Sequence, residues 1–195
     1  LIEDAKMSKS IGNIVNPIEL INYYGEDSLR FFLMREMTLG QDASFSFDLF
    51  KRRYNDDLAN DLGNLLNRIT ILIKKFCNNS IPSIKDKNKI DNDLINKIKD
   101  LPIQSLENVK NLKINLAIKD IMSLVKSINK YLEITEPWKA LKTNANDQSS
   151  LNTLAISSEA IAISAKLLLP VMPKKCKKIL QILGIQNQFT ALTFG

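Results

Sequence analysis

The stretch YNDDLANDLGNLLNRITILIKKF, residues 54–76, decides the fold. Its apolar residues recur every three or four positions, which is the period of an amphipathic α-helix. They are Leu58, Leu62, Leu65, Leu66, Ile69, Leu72 and Ile73. The helical pattern extends over residues 48–77, and the polar cluster at 55–57 predicts a break or bend there. The broad apolar face predicts helices that pack into a hydrophobic core.

Similar patterns follow this stretch along the chain. They predict helices at about 91–108, 111–133, 148–169 and 174–183, with a short helix in EPWKALK whose first turn accommodates Pro137. The loops between these segments are modest in length. The sequence therefore predicts an all-α fold, an antiparallel helical bundle, over residues 48–195.

The region before the bundle has a more mixed pattern. Ile18, Ile21 and Tyr24 share one helical face, and Gly25 ends that short helix before a second one from Glu26 to about residue 37. Polar and apolar residues then alternate over 42–47, which is typical of a short extended segment. We expect residues 1–47 to form a small mixed α/β junction in front of the bundle.

The composition excludes several classes of site. The 195 residues include no histidine, which removes His-based acid–base catalysis, Ser-His-Asp triads and the usual zinc ligands. Cys77 and Cys176 stand far apart without a CxxC pattern, so we expect reduced thiols, a cytoplasmic location and no metal site. No apolar run has membrane-spanning length, so no membrane partner is expected. The net charge of +6 suits a polyanionic partner without identifying one.

The segment KMSKS near the start of the chain consists of Lys6, Met7, Ser8, Lys9 and Ser10. By itself it could be a solvated basic loop with a serine phosphorylation site. Together with the Ile-Gly-Asn and Asn-Pro that follow, it resembles the second active-site motif of class I aminoacyl-tRNA synthetases. Such a mobile loop closes on the charge that builds on the leaving phosphates of ATP. The resemblance implies that Lys9 contacts the triphosphate of ATP, which is used with Mg²⁺, and that Lys6 supports it.

Four further segments carry the resemblance along the chain. GEDSLRFFLMRE (25–36) resembles the helix that follows this motif in several class I synthetases, where it packs the junction between domains. REMTLGQDASFS (35–46), RRYNDDLANDLGNLLNR (52–68) and EPWKALK (136–142) together resemble the methionyl-tRNA synthetase family. The resemblance implies that residues 1–47 end the catalytic region and that residues 48–195 are the helical anticodon-binding domain.

The resemblance also assigns roles to four residues of the bundle. It implies that Pro137 and Trp138 bind the CAU anticodon, with Trp138 stacked against its first base, and that Asn64 and Arg68 contact base edges. Asparagine supplies a donor and an acceptor, and arginine a fork of donors. Without the resemblance, a core tryptophan and an ordinary polar helix face are the simpler interpretations.

The last predicted helix begins with lysines, namely Lys174, Lys175, Lys177 and Lys178. We expect them to solvate the helix, with phosphate contact as the alternative. Lysines in a first turn oppose the helix dipole, which favours an anionic neighbour.

The family's nucleotide-binding Rossmann domain carries a His-x-Gly-His-type motif, which a chain without histidine lacks. We therefore expect the C-terminal part of a monomeric methionyl-tRNA synthetase that binds tRNA(Met), with methionine and ATP bound through other parts of the enzyme. This part alone is predicted to be inactive. Two alternatives remain open, namely the equivalent part of a leucyl or valyl enzyme and a free-standing tRNA-binding helical module.

Overall fold

A computed structural model of the chain describes residues 15–185, and in that range it consists of helices without a strand. The α-helices are α1 (Pro17–Tyr24), α2 (Glu26–Glu36), α3 (Phe47–Arg53), α4 (Asn64–Phe76), α5 (Lys89–Lys110), α6 (Ile114–Thr135), α7 (Pro137–Thr143), α8 (Gln148–Leu168) and α9 (Pro173–Ile182). A π-helix, Tyr54–Gly63, joins α3 to α4. The predicted all-α character of the bundle is confirmed over residues 48–185.

The main hydrophobic core lies between α4, α5, α6, α8 and α9. On α4, Leu65 and Ile69 are fully buried, as the opening pattern predicts. Other fully buried side chains come from α6 and α8, namely Ile118, Ile128, Leu132, Leu154, Ile156, Ile161 and Leu168. The broad apolar face of the α4 segment therefore packs against the centre of the bundle.

Helix α8 is the central helix of this core. It is long and apolar enough to cross a membrane by length and composition alone, with a mean hydropathy of 1.2 over an 18-residue window. However, 72% of that window is buried inside the bundle. Burial among neighbouring helices explains why this helix carries few charged residues, and Glu159 and Lys166, which are charged, are exposed.

A buried polar network fixes the loop before α5 to the bundle. The Tyr131 hydroxyl donates to Asp91 Oδ1 at 2.5 Å, and burial raises the pKa of Tyr131. The Asn152 amide accepts from the Lys85 backbone N–H at 2.9 Å and donates to the Lys85 carbonyl. The Asn152 amide also donates to Asp91 Oδ2 at 3.3 Å, so three helices and the loop are joined by paired polar groups.

A second, smaller core lies beside the bundle. Its buried members are Leu20, Leu29, Phe32, Phe45 and Phe50, and the Phe32 ring meets the rings of Phe45 and Phe50 edge-on at 5.4 and 5.3 Å. Such T-shaped contacts are favourable for aromatic rings. The cluster joins α1, α2 and α3 into one unit.

The extended segment predicted at 42–47 forms only in part. Phe45 makes a single bridge, and Ser46 is extended and caps α3 by accepting the Leu49 N–H at 3.0 Å. No strand forms within residues 15–47. Because the KMSKS segment lies outside the described residues, the mixed α/β character of the whole junction stays a prediction.

Candidate nucleic-acid interface

Arg68 of α4 and Trp138 of α7 meet at the surface of the bundle. The guanidinium carbon of Arg68 lies 5.5 Å from the centroid of the Trp138 ring, which is within cation–π distance. Both residues are half-buried. The tryptophan is therefore accessible on part of its surface, unlike a residue sealed in the core.

The chain turns sharply just before Trp138. Glu136 caps the C-terminus of α6, adopts the left-handed conformation with φ 41° and donates its N–H to the Leu132 carbonyl at 3.0 Å. Pro137 is buried and begins α7, and the Glu136 carboxylate pairs with Lys139 at 2.7 Å. A left-handed backbone is uncommon for a residue other than glycine, so the surrounding contacts must hold Glu136 in this conformation. The turn sets the position of Trp138 relative to the end of α6.

Asn64 is the first residue of α4, one turn before Arg68, so the two side chains lie on the same side of the helix. Asn64 is exposed, and within residues 15–185 its side chain has no hydrogen-bond partner. We refer to Asn64, Arg68 and Trp138 as the α4–α7 face. Of the four residues predicted for anticodon contact, the structure brings Arg68 and Trp138 together and leaves Asn64 exposed one turn earlier on α4, while Pro137 is buried.

The helix that leads into this face is unusual. The sequence predicted a break or bend at 55–57, but the chain does not break there, because α3 passes into the π-helix Tyr54–Gly63. In that helix Asp57 is 1% exposed and lies 3.7 Å from Arg53 and 3.8 Å from Lys126. Arg53 also donates to Glu36 of α2 at 2.6 Å. These ion pairs connect α2 and α3 of the small core to the π-helix that precedes α4.

The lysine-rich start of α9 has an anionic neighbour, as the sequence predicts, and it belongs to the protein. The Lys175 backbone N–H donates to the buried Asp27 carboxylate at 2.6 Å, and Lys174 pairs with Glu26 at 2.9 Å. The hydrogen bond with Glu26 raises the pKa of Lys174. An acidic group is favourable at a helix N-terminus.

Arg30 adds a contact between α2 and the turn that leads from α8 into α9. Its Nε donates to the Val171 carbonyl at 2.9 Å and its Nη2 to the Pro170 carbonyl at 2.7 Å. We call these pairs, made by Glu26, Asp27 and Arg30, the α2–α9 clamp. The sequence did not identify it, since its partners lie more than a hundred residues apart.

The KMSKS segment at residues 6–10 lies outside the described residues. Within residues 15–185, no three Cys, Asp or Glu side chains lie close enough together to hold a metal ion.

Comparison with known proteins assigns the chain to a family. Residues 1–70 match the family model described as "tRNA synthetases class I (M)", and residues 81–191 match the anticodon binding domain of methionyl tRNA ligase. A methionine–tRNA ligase of Caldanaerobacter subterraneus subsp. tengcongensis is 39% identical over the whole of this chain, which covers 31% of that relative. The Clostridium acetobutylicum methionine–tRNA ligase is 40% identical over 95% of this chain, which covers 29% of that relative.

A solved structure agrees with these matches. Methionyl-tRNA synthetase of Mycobacterium tuberculosis, in complex with methionyl-adenylate, superposes with a TM-score of 0.85 at 35% identity. The alignment covers 89% of this chain and 35% of that one. The matches favour the methionine family over leucyl or valyl enzymes and over a free-standing module. The chain belongs to the methionyl-tRNA ligase family and matches a C-terminal part of its relatives, including their anticodon-binding domain.

Proposed function

We propose that the α4–α7 face binds the CAU anticodon of tRNA(Met) within a methionine–tRNA ligase. The observation that carries this proposal is the half-buried Trp138 beside Arg68, with Asn64 exposed on the same side. Single-stranded RNA is read by stacking unpaired bases on aromatic rings and by hydrogen bonds to base edges. This face offers both kinds of contact on one surface.

Trp138 supplies the stacking surface. Its backbone is fixed by buried Pro137 and by the turn at Glu136, so little conformational entropy remains to be lost when a base stacks on the ring. Arg68 already lies over that ring, and its planar guanidinium can stack or donate toward a neighbouring base. The first anticodon base is proposed to stack on Trp138.

Asn64 and Arg68 supply the base-edge contacts. The Asn64 amide offers one acceptor and two donor hydrogens, which match the mixed donor and acceptor edges of unpaired bases. Arg68 adds donors one turn away. Because base contacts specify sequence while phosphate contacts only position the RNA, these two residues are proposed to determine the preference for CAU.

The remaining roles rest on the sequence. Residues 1–47 are proposed to end the catalytic region and residues 48–195 to form the anticodon-binding domain. Each hydrophobic core also takes a residue from across this boundary, since Phe50 belongs to the small core and Phe31 to the main one. Lys9, supported by Lys6, is proposed to contact ATP, used with Mg²⁺, during methionine activation and tRNA charging. The enzyme is proposed to be monomeric and cytoplasmic. Since the chain contains no histidine, it is proposed not to form methionyl-adenylate alone.

Binding of short anticodon stem-loops to the whole chain tests the proposal. We expect the CAU stem-loop to bind more tightly than three stem-loops that each change one anticodon base. Asn64→Ala should lose part of this preference, by about 1–3 kcal/mol at one base position. Asn60→Ala, an exposed asparagine outside the α4–α7 face, is the matched control and should keep it. Equal affinity of the wild type for all four stem-loops would contradict the proposal.

A further inference from the structure

We propose that the π-helix Tyr54–Gly63 positions the α4–α7 face, with Gly63 and Asn129 as the residues that fix its register. This inference rests on the proposed function, because it concerns how Asn64 and Arg68 are presented to an anticodon. Neither Gly63 nor Asn129 is proposed to contact RNA. They are positioning residues.

The hydrogen-bond register of the π-helix reaches the face itself. The Asn64 backbone N–H bonds to the Ala59 carbonyl, five residues back, where an α-helix would use the carbonyl four residues back. A π-turn holds more residues than an α-turn. The residues that follow therefore point in directions that depend on where the π-helix ends. A return to α-helical register would rotate Asn64 and Arg68 relative to the bundle.

Gly63 is not required by its own backbone angles, so its close contact with the preceding π-turn is the feature that distinguishes it. Its φ of −67° is ordinary for any residue in a helix, and glycine is normally less favourable than alanine in that conformation. A Cβ at position 63 would lie 3.1 Å from the Leu58 carbonyl oxygen, tighter than nine in ten real Cβ contacts. Leu58 precedes Gly63 by five residues, which is the spacing that a π-turn brings together. An alanine would push the two apart and disfavour the π-turn.

Helix α6 holds the π-helix from the side. The Asn129 amide donates to the Asp61 main-chain carbonyl at 3.0 Å. One turn earlier on α6, the Lys126 ammonium lies 3.6 Å from the Asp61 carboxylate and 3.8 Å from that of Asp57. Because residues 126 and 129 lie on the same side of α6, the π-helix is tied to the bundle at two neighbouring points. The Asn129 bond is specific for register, since it reaches one particular main-chain oxygen.

Trp138 reports on this register without any RNA. It is the only tryptophan, and the Arg68 guanidinium lies 5.5 Å from its ring. If α4 rotates, the positive charge moves relative to the indole, and the fluorescence of the protein changes. An alternative in which Gly63 merely leaves space for an approaching RNA predicts no change in the protein alone.

The experiment compares Gly63→Ala, Asn129→Ala and the control Asn60→Ala, which changes an exposed residue of the same π-helix that already carries a Cβ. Three quantities are measured, namely the thermal unfolding midpoint, Trp138 fluorescence of the free protein, and the ratio of affinities for CAU and single-base-variant stem-loops. We expect Gly63→Ala and Asn129→Ala to shift the fluorescence and to lower the affinity ratio by about tenfold, the scale of one lost base-edge contact. The control should match the wild type in all three.

The outcomes separate the inference from the proposed function. If wild type prefers CAU while Gly63→Ala keeps both its fluorescence and its affinity ratio, the inference is wrong and the proposed function stands. If Gly63→Ala does not fold, Asn129→Ala decides in the same way. A wild type without CAU preference overturns the proposed function, and this inference with it.

Discussion

Two arginines, Arg30 and Arg68, belong to two regions that are built in opposite ways. In the α2–α9 clamp, Arg30 donates to the carbonyls of Pro170 and Val171. On the α4–α7 face, the partner of Arg68 within residues 15–185 is the Trp138 ring, which leaves its N–H donors available. An arginine whose donors end on the protein's own carbonyls holds the fold, whereas one with available donors can serve a ligand.

The acidic and amide side chains of the two regions show the same contrast. Asp27 is 2% exposed and accepts the Lys175 N–H of α9, while Asn64 is exposed and has no side-chain partner in the described range. Burying a carboxylate is costly unless it is bonded, and among the described residues Asp27 Oδ1 has no hydrogen-bond partner while Oδ2 accepts the Lys175 N–H, so the carboxylate depends on its contact with α9. We therefore expect substitutions in the clamp to change folding stability and substitutions on the face to change RNA binding.

The largest effect is expected for Asp27→Ala. It removes a charged acceptor and leaves the Lys175 N–H at the start of α9 unpaired, which should lower the free energy of unfolding by about 1.5–3 kcal/mol. The measurement is urea unfolding followed by far-UV circular dichroism.

Asp48→Ala is the matched control for Asp27→Ala. Asp48 also lies in the first turn of a helix but is exposed, so its loss should cost only a few tenths of a kcal/mol. If the Asp27–Lys175 hydrogen bond does not stabilise the fold, both variants will show the same small loss in the free energy of unfolding.

Trp138→Ala should instead weaken RNA binding and leave the fold intact. It removes the stacking surface and should weaken CAU stem-loop binding by about 1–3 kcal/mol, while the helical content stays nearly unchanged. Titration of the stem-loop and circular dichroism of the free protein measure the two effects. A variant that unfolds, or that binds the stem-loop as well as wild type, would show that Trp138 has a structural role and does not bind RNA.

The helices of both regions could be predicted from the sequence because their signals are local. Gly25 ends α1 with φ 82°, as its position after an apolar repeat predicts, and Pro137 begins α7 as expected. The spacing of Asn64 and Arg68 predicted a common helix face in the same way. The expectation that Trp138 serves the same site came from the family resemblance and not from spacing, since α4 and α7 are far apart in sequence.

The clamp and the π-helix could not be predicted, for two physical reasons. Asp27 and Lys175 are brought together by tertiary packing, and no local pattern identifies a partner at that distance. The first-turn lysines predicted only that some anion would lie near. The π-helix was interpreted as a break or bend because the polar residues at 55–57 interrupt the apolar repeat, and the register depends on contacts such as that of Asn129 with the Asp61 carbonyl.

The smallest effect is expected for Lys174→Gln. Its side chain is 73% exposed, and solvent screens its pair with Glu26, so the unfolding midpoint should move much less than in Asp27→Ala. The preference for CAU should not change, because phosphate contact is the only RNA contact expected of this lysine, and phosphate contacts do not specify sequence. Stem-loop titrations at two salt concentrations measure both the preference and the salt dependence. A loss of CAU preference would show that α9 takes part in base readout.

The most direct measurement compares Arg68→Ala with Arg30→Ala in one stem-loop assay. For each variant and the wild type, the ratio of affinities for CAU and its single-base variants is determined, together with the free energy of unfolding. We predict that Arg68→Ala loses discrimination worth about 1–3 kcal/mol at one base and keeps its stability. Arg30→Ala should lose stability and keep the ratio. An unchanged ratio in Arg68→Ala, or a ratio lost in Arg30→Ala, would contradict the assignment of anticodon readout to the α4–α7 face.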